Sequence, residues 1–434
     1  MADRAVTEGR RVALSALEMV RKGEFADRAL ARWGDRLDSR DHAWVQELLY
    51  GTLRLRGRLD FVLAAFARSG LDSLEPGVLD ILRLGAYQIL EMGGVPAYAA
   101  VSQMVELAKE SGVGRASGLV NGVLQTVRRD GREVAFPALE TDPRGHLSTW
   151  GSHPVWLIDR WLARWGVDET LRLVEINNRR PDLYLRPVDP TAAAGVLEEA
   201  GISVEPVAGF PDSLRLRDAA DLARTLSLAP SVVQDPAAAM VGRYAAVPPG
   251  SLVVDLTAAP GGKTVGLAAD GAQVVASDLS LGRMRRVRSN VERAGLDDRV
   301  AMVVADGRFP PFRTADAVLL DAPCTGTGTL RRHPDARWRV GPNDLLALAR
   351  LQRELLDAAA MIVREGGLLV YSTCSIEPEE NRRQVEDFLR NHAEFELVPP
   401  LPDIDEVMME DGFLNLLPQR LGVDGAFAAR LVRK

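Results

Sequence analysis

Five short runs rich in β-branched and apolar residues, 252–256, 273–277, 301–305, 317–320 and 368–372, recur in the C-terminal half of the chain with helical stretches between them. A strand that alternates with a helix returns to pair in parallel, so the alternation predicts a doubly wound, Rossmann-like α/β sheet. Ligands of such sheets lie beyond the carboxyl ends of the strands. The residues at those ends therefore decide what site the chain can build. They are Asp255, Asp278, Asp306 and Asp321, with Cys324 just past the fourth run and Cys374 just past the fifth. One Asp after a strand is often only a helix cap. Four in succession predict a polar edge that holds a nucleoside.

The first run leads into Thr257-Ala258-Ala259-Pro260-Gly261-Gly262-Lys263-Thr264. Small residues let the backbone approach a ligand, and a helix start presents N–H donors to it. A phosphate-cradling loop needs four residues between its first glycine and Gly-Lys-Ser/Thr, and no glycine stands at that place. A nucleoside triphosphatase is thereby disfavoured. Asp278 follows Asp255 by 23 residues, close to the ~20-residue offset at which an acidic group meets a ribose hydroxyl.

Cys324 and Cys374 are the only cysteines, too few for a disulfide framework and suited to a reducing compartment. No apolar run approaches the ~20 residues of a membrane span, and Met1-Ala2-Asp3-Arg4 opens no signal peptide. A cytoplasmic location is expected. His42, His146, His153, His333 and His392 are scattered, so no metal site is expected. A lone cysteine is usually a small buried hydrophobe, but here both stand where chemistry is expected. Carbon 5 of cytosine is a poor nucleophile until another nucleophile adds at carbon 6, and a thiolate suits that task. Two thiols can divide addition from release.

The net charge of −7 disfavours nucleic-acid binding only as a global rule, since phosphate contacts need local positive charge. Arg283, Arg285, Arg286, Arg288 and Arg293 form one basic run, and Arg331, Arg332, Arg337 and Arg339 another, whereas 394–411 is acidic.

The N-terminal part reads differently. From Arg10 to Arg129 apolar residues recur at helical spacing, with breakers such as Ser69-Gly70 and Gly93-Gly94-Val95-Pro96 between segments. A multidomain chain is expected: an all-α domain over 1–135, a linker over 136–154, a small α+β subdomain over 155–245 with strands near 182–188 and 203–216, and the Rossmann-like domain over 246–434.

Three stretches carry a resemblance: 255–264, Asp321-Ala322-Pro323-Cys324-Thr325-Gly326-Thr327-Gly328, and Ser372-Thr373-Cys374-Ser375-Ile376-Glu377-Pro378-Glu379-Glu380-Asn381. With them the chain resembles, over nearly its whole length, the Sun (Fmu, RsmB) branch of RNA cytosine-5 methyltransferases. The resemblance implies S-adenosylmethionine as cofactor. Thr257, Ala258, Ala259, Pro260, Gly261, Gly262 and Lys263 would contact it, with Asp278, Asp306 and Asp321 completing the pocket and base site. Cys374 resembles the nucleophile and Cys324 the cysteine that helps release methylated RNA, with Lys263 and Asp321 holding the cytosine. Gln234-Asp235 resembles a family segment preceding the loop.

Segments 47–54, 82–88 and 120–124 resemble the NusB-like RNA-binding domain of this branch, which points to small-subunit ribosomal RNA as partner. The chain departs from the branch at Gln125, where Arg is usual, and at Gly425-Ala426-Phe427, which lacks a paired aromatic. The rival readings are the same chemistry on transfer RNA or DNA, and a non-catalytic RNA-binding or antitermination factor. Intact cysteines and carboxylates oppose the last.

Overall fold

The computed structural model describes residues 5–399 and 404–434. The opening Met1-Ala2-Asp3-Arg4 and positions 400–403 of the acidic stretch lie outside the described residues. The chain divides into two compact units, Met1–Arg179 with Leu330–Arg339, and Arg180–Thr329 with Val340–Lys434.

The first unit is helical: α1 (Glu8–Arg21), α2 (Ala26–Ala31), α3 (Ser39–Arg54), α4 (Arg56–Phe66), α5 (Pro76–Leu90), α6 (Ala97–Glu110), α7 (Ser117–Asp130), α8 (Pro143–Thr149) and α9 (Val155–Asn178). Val12, Ala13, Ala16, Leu17 and Val20 repeat at helical spacing and form the buried stripe of α1. Pro76 stands at the start of α5, where its missing N–H costs nothing. That helix is buried on most sides, with Ile81, Leu82, Leu84 and Ala86 fully inside, and it packs against α1, α3, α4, α6 and α7. Each large side chain so buried contributes roughly 1.5–3 kcal/mol. Gly51 lets α3 close on α5, because a Cβ there would overlap the Tyr87 ring.

The expected linker, 136–154, is partly helical. Its Pro143 starts α8 rather than breaking the chain, and Asp142 caps that helix by accepting from Gly145 N at 2.8 Å. Helix α9, expected to open the small subdomain, falls within the first unit. There Trp161 is buried against His153.

Segment Leu330–Arg339 also belongs to this unit. Arg337 is 1% exposed. Its Nη1 donates to Arg54 O (3.2 Å), Ser152 O (3.0 Å) and Asn178 Oδ1 (2.8 Å), and its Nη2 to Asn177 O (3.0 Å) and Leu330 O (3.3 Å). Trp338 Nε1 donates to Leu53 O at 2.7 Å. The second basic run is thus in part a structural pin.

The second unit holds two sheets. The smaller contains β1 (Leu183–Pro187), β2 (Val204–Val207), β3 (Phe210–Leu216) and β4 (Ser231–Val233) in antiparallel order β2-β3-β1-β4. The larger contains β5 (Leu252–Asp255), β6 (Gln273–Asp278), β7 (Val300–Val304), β8 (Ala315–Asp321), β9 (Val363–Thr373), β10 (Phe395–Leu397), β11 (Met409–Glu410), β12 (Phe413–Leu416) and β13 (Ala426–Arg433). All five expected runs are strands, parallel in the order β9-β8-β5-β6-β7. Beyond β9 the sheet continues antiparallel through β13, β12 and β11, with β10 beside β13, so it is mixed rather than purely parallel. The order reverses between β5 and β8, which puts the topological switch point, and hence the crevice for a ligand, at the ends of those two strands.

Among the described residues no helix is long and apolar enough to cross a membrane, and no three of His, Cys, Asp and Glu gather as a metal site.

Candidate active site

The loop after β5 turns at Gly261, whose φ of +102° favours glycine and where a Cβ would come within 3.0 Å of Val287 Cα. Helix Leu281–Ala294 holds the loop from the side: Arg283 Nη2 donates to Ala259 O (2.9 Å) and Asn290 Nδ2 to Pro260 O (2.8 Å). Thr257 Oγ1 donates to Asp321 O across the switch point at 2.8 Å. Thr257, Ala258, Ala259, Pro260, Gly262 and Lys263 then line a cavity of about 140 Å³, with Asp255, Asp321, Gln234 and Asn290 among its other walls. Two buried acceptors on that wall, Asp255 Oδ1 and Gln234 Oε1, have no hydrogen-bond partner. A buried acceptor without a donor costs about 1–3 kcal/mol. The amino and hydroxyl groups of S-adenosylmethionine are donors of the required kind, so the residues present fit that cofactor.

The structure separates the four aspartates. Asp255 and Asp321 line the cavity; Asp278 and Asp306 are not among its walls. Asp278 is buried and shapes the loop, accepting from Ala259 N (3.3 Å) and Ser280 N (3.1 Å) and pairing with Arg283 (3.3 Å). Asp306 accepts from Arg308 N at 3.0 Å and pairs with the Arg308 guanidinium at 2.7 Å, bonds that hold its carboxyl below the usual range. Both make the local backbone bonds that aspartates after strands commonly make.

Burial pushes the Asp255 carboxyl up to about 7, against the hydrogen bond from Thr264 Oγ1 (2.7 Å) and with Asp321 adding to the rise. A folded-state value above the unfolded one means stability present below about pH 4 and lost as pH rises through about 7. Asp255→Asn is therefore expected to shrink the difference in Tm between pH 5 and pH 8 by about 5 °C. Thermal melts of the two proteins at both pH values check this; an unchanged gap means that Asp255 ionises normally.

Cys324 and Cys374 follow adjacent parallel strands, and their sulfurs lie 3.3 Å apart, both partly exposed. The hydrogen bond to Cys374, then burial, push the Cys324 thiol well above its ordinary value. Either sulfur can donate in this contact, so the two thiols act as a pair. Lys263 Nζ pairs with Asp321 Oδ2 at 2.7 Å, and Ser372 Oγ donates to Asp321 Oδ1 at 2.8 Å. Burial pulls Lys263 down, but Asp321 and then Cys374 outweigh it and hold the ammonium above its usual value.

The sequence missed what supports the thiols. Glu380 is buried and accepts from Thr325 N (2.8 Å), Thr325 Oγ1 (2.5 Å) and Gln352 Nε2 (3.0 Å), and Gln352 Nε2 also donates to Pro323 O (2.9 Å). Asn381 bonds both Thr373 Oγ1 (2.5 Å) and Ser375 O (2.8 Å), on either side of Cys374. The two cysteine loops are therefore laced together by one buried carboxylate and one amide, Gln352, while Asn381 braces the Cys374 loop. Only the stretch Glu379-Glu380-Asn381, close behind Cys374, signalled this in sequence.

The 16S rRNA methyltransferase RsmB/F family matches residues 246–432, the NusB family 7–129, and the RsmF/B-like ferredoxin-like domain family 153–223. The ribosomal RNA small subunit methyltransferase B of Vibrio cholerae is 36% identical, covering 98% of this chain and 97% of its own. Its counterpart from Escherichia coli O127:H6 is 34% identical, covering 98% of both. The crystal structure of PH0851 matches at a TM-score of 0.81 and 27% identity, covering 98% of both chains. With identity of 34–36% over nearly the full length of these relatives, the chain belongs to the ribosomal RNA small subunit methyltransferase B family.

Proposed function

We propose that this protein methylates carbon 5 of a cytosine in small-subunit ribosomal RNA, with S-adenosylmethionine as methyl donor and a covalent adduct between Cys374 and carbon 6. The observation that carries the adduct is the thiol pair, 3.3 Å apart beside the Lys263–Asp321 ion pair. When bound, S-adenosylmethionine supplies an electrophilic methyl group on a sulfonium.

Cys374 forms the S–C6 bond as a thiolate, and the electron pair of the C5=C6 bond turns carbon 5 into the nucleophile that takes the methyl. Negative charge builds on the ring meanwhile, and the Lys263 cation, within electrostatic reach of Cys374, stabilises it. The C5 proton then leaves to a base, the double bond re-forms, and the S–C6 bond breaks toward Cys374. Cys324, which holds its proton, donates a hydrogen bond to the departing thiolate.

Bisulfite sequencing of total RNA from a strain lacking this protein tests the substrate. One small-subunit ribosomal cytosine is expected to lose its protection from conversion. Loss confined to transfer RNA, or no loss, overturns the assignment.

A further inference from the structure

The helical unit contains a second cavity, of about 250 Å³, which the methyl-transfer chemistry does not use. Four guanidiniums line it, from Arg21, Arg56, Arg83 and Arg339, against two carboxylates, Asp80 and Asp335. The carboxylates already have partners. Asp80 pairs with Arg21 at 2.9 Å and stands 3.6 Å from Arg83, while Asp335 pairs with Arg339 at 3.2 Å. Outside the lining, Asp60 accepts from Arg83 through both oxygens, at 2.7 and 2.8 Å.

Arg56 is left with a 3.7 Å contact to an oxygen of that same Asp60 and with the Trp338 ring at 5.2 Å. Burial, and then the charge of Arg83, push its guanidinium below the ordinary value in spite of Asp60. Its one ion-pair partner, Asp60, is shared with Arg83, which holds both oxygens more closely.

Thr52 points to a ligand independently. It is 1% exposed, lines the cavity, and its Oγ1 has no hydrogen-bond partner. A buried unpaired hydroxyl costs about 1–3 kcal/mol, and valine would fill the same space without that cost. The rim is open, since the side chains of Arg21, Arg56 and Arg339 are 37%, 38% and 27% exposed. Guanidiniums at the rim and a free hydroxyl inside suit an oxyanion with several acceptor oxygens.

We propose that this cavity is a phosphate site that takes one backbone phosphate of the RNA substrate, with Arg56 and Thr52 as donors. The RNA half rests on the substrate reading above; the phosphate half stands without it.

Two measurements on the full chain test the two halves. In the first, anisotropy of a labelled small-subunit ribosomal RNA fragment is titrated between 50 and 200 mM salt, since each phosphate neutralised adds about 0.7–0.9 to the slope of log K against log salt. Arg56→Gln is expected to flatten that slope by about that amount and to weaken binding about tenfold at low salt. In the second, inorganic phosphate is titrated calorimetrically against chloride at equal ionic strength. The parent chain is expected to bind it, and Arg56→Gln about tenfold more weakly. Should Arg56→Gln fail to fold, Thr52→Val decides: it breaks no bond within the protein, so weaker RNA and phosphate binding at unlowered Tm supports the site.

Unchanged affinity for both in Thr52→Val overturns the proposal, as does a parent chain that binds no phosphate. Phosphate binding with an unaltered RNA slope in Arg56→Gln refutes the RNA half and leaves a site for a free anion. A parent chain that binds no RNA sinks the substrate reading instead, while the phosphate titration still decides the cavity.

Discussion

Replacing Cys374 by alanine is expected to abolish methylation and the covalent RNA complex together, whereas replacing Cys324 is expected to let that complex accumulate. The two sulfurs are 3.3 Å apart, yet their surroundings differ. Gln352 holds the carbonyl of Pro323, the residue before Cys324, whose thiol is pushed well up by the bond to Cys374 and by burial. Cys374 shares that bond and feels the positive Lys263. Being within electrostatic reach of the Lys263 cation suits Cys374 to carry the attacking charge, and without that sulfur nothing adds to carbon 6. Loss of a covalent nucleophile costs on the order of 10³-fold or more in rate. Without Cys324, addition and methyl transfer can proceed, but the departing thiolate loses its hydrogen bond.

Denaturing gel electrophoresis with labelled RNA reads both outcomes: no shifted band for Cys374→Ala, and a persistent band for Cys324→Ala. The reverse pattern exchanges the two roles. Full activity in both variants removes the adduct from the mechanism.

Arg337→Met is expected to cost the helical unit about 2–4 kcal/mol, because several buried acceptors lose their donor at about 1–3 kcal/mol for each one left unpaired. The guanidinium is fully buried and bonds four backbone carbonyls and one side-chain amide. No carboxylate is among these five acceptors, so the carbonyls of Arg54, Ser152, Asn177 and Leu330 carry the charge. Methionine fills part of the volume and pairs with none of them. Lysine keeps the charge but lacks the planar fork that reaches acceptors on two sides, so Arg337→Lys is expected to recover only part of the loss. Chemical denaturation followed by helical circular dichroism measures both variants. A loss under about 1 kcal/mol in Arg337→Met makes these bonds replaceable by solvent. The same bonds bear on where the chain can be cut: a fragment beginning at 155 keeps Arg337 but discards Arg54 and Ser152.

Much of the architecture was legible because strands of a parallel sheet are buried on both faces and read as apolar runs. All five expected runs are strands, and the thiols stand where the ends of β8 and β9 place them. The antiparallel extension was not legible. Strand β11 has two residues and β12 four, too short to show a period, and Ala-rich β13 becomes a strand by pairing with β9 along six residues.

Residue order and periodicity by themselves determined the helical half, the five parallel strands, the glycine loop and the placing of both cysteines near one sheet edge, because these follow from local pattern and connectivity. Only the tertiary structure decided that Asp255 and Asp321 face the cavity while Asp278 bonds the loop at Ala259, that Glu380 and Gln352 lace the thiol loops, and that Leu330–Arg339 packs with the helical unit. Each of those depends on which distant group supplies a hydrogen-bond partner. Gln352 is 28 residues from Glu380, and Arg337 is 283 from Arg54. A buried polar group takes the partner that packing brings to it, and no local pattern records that choice.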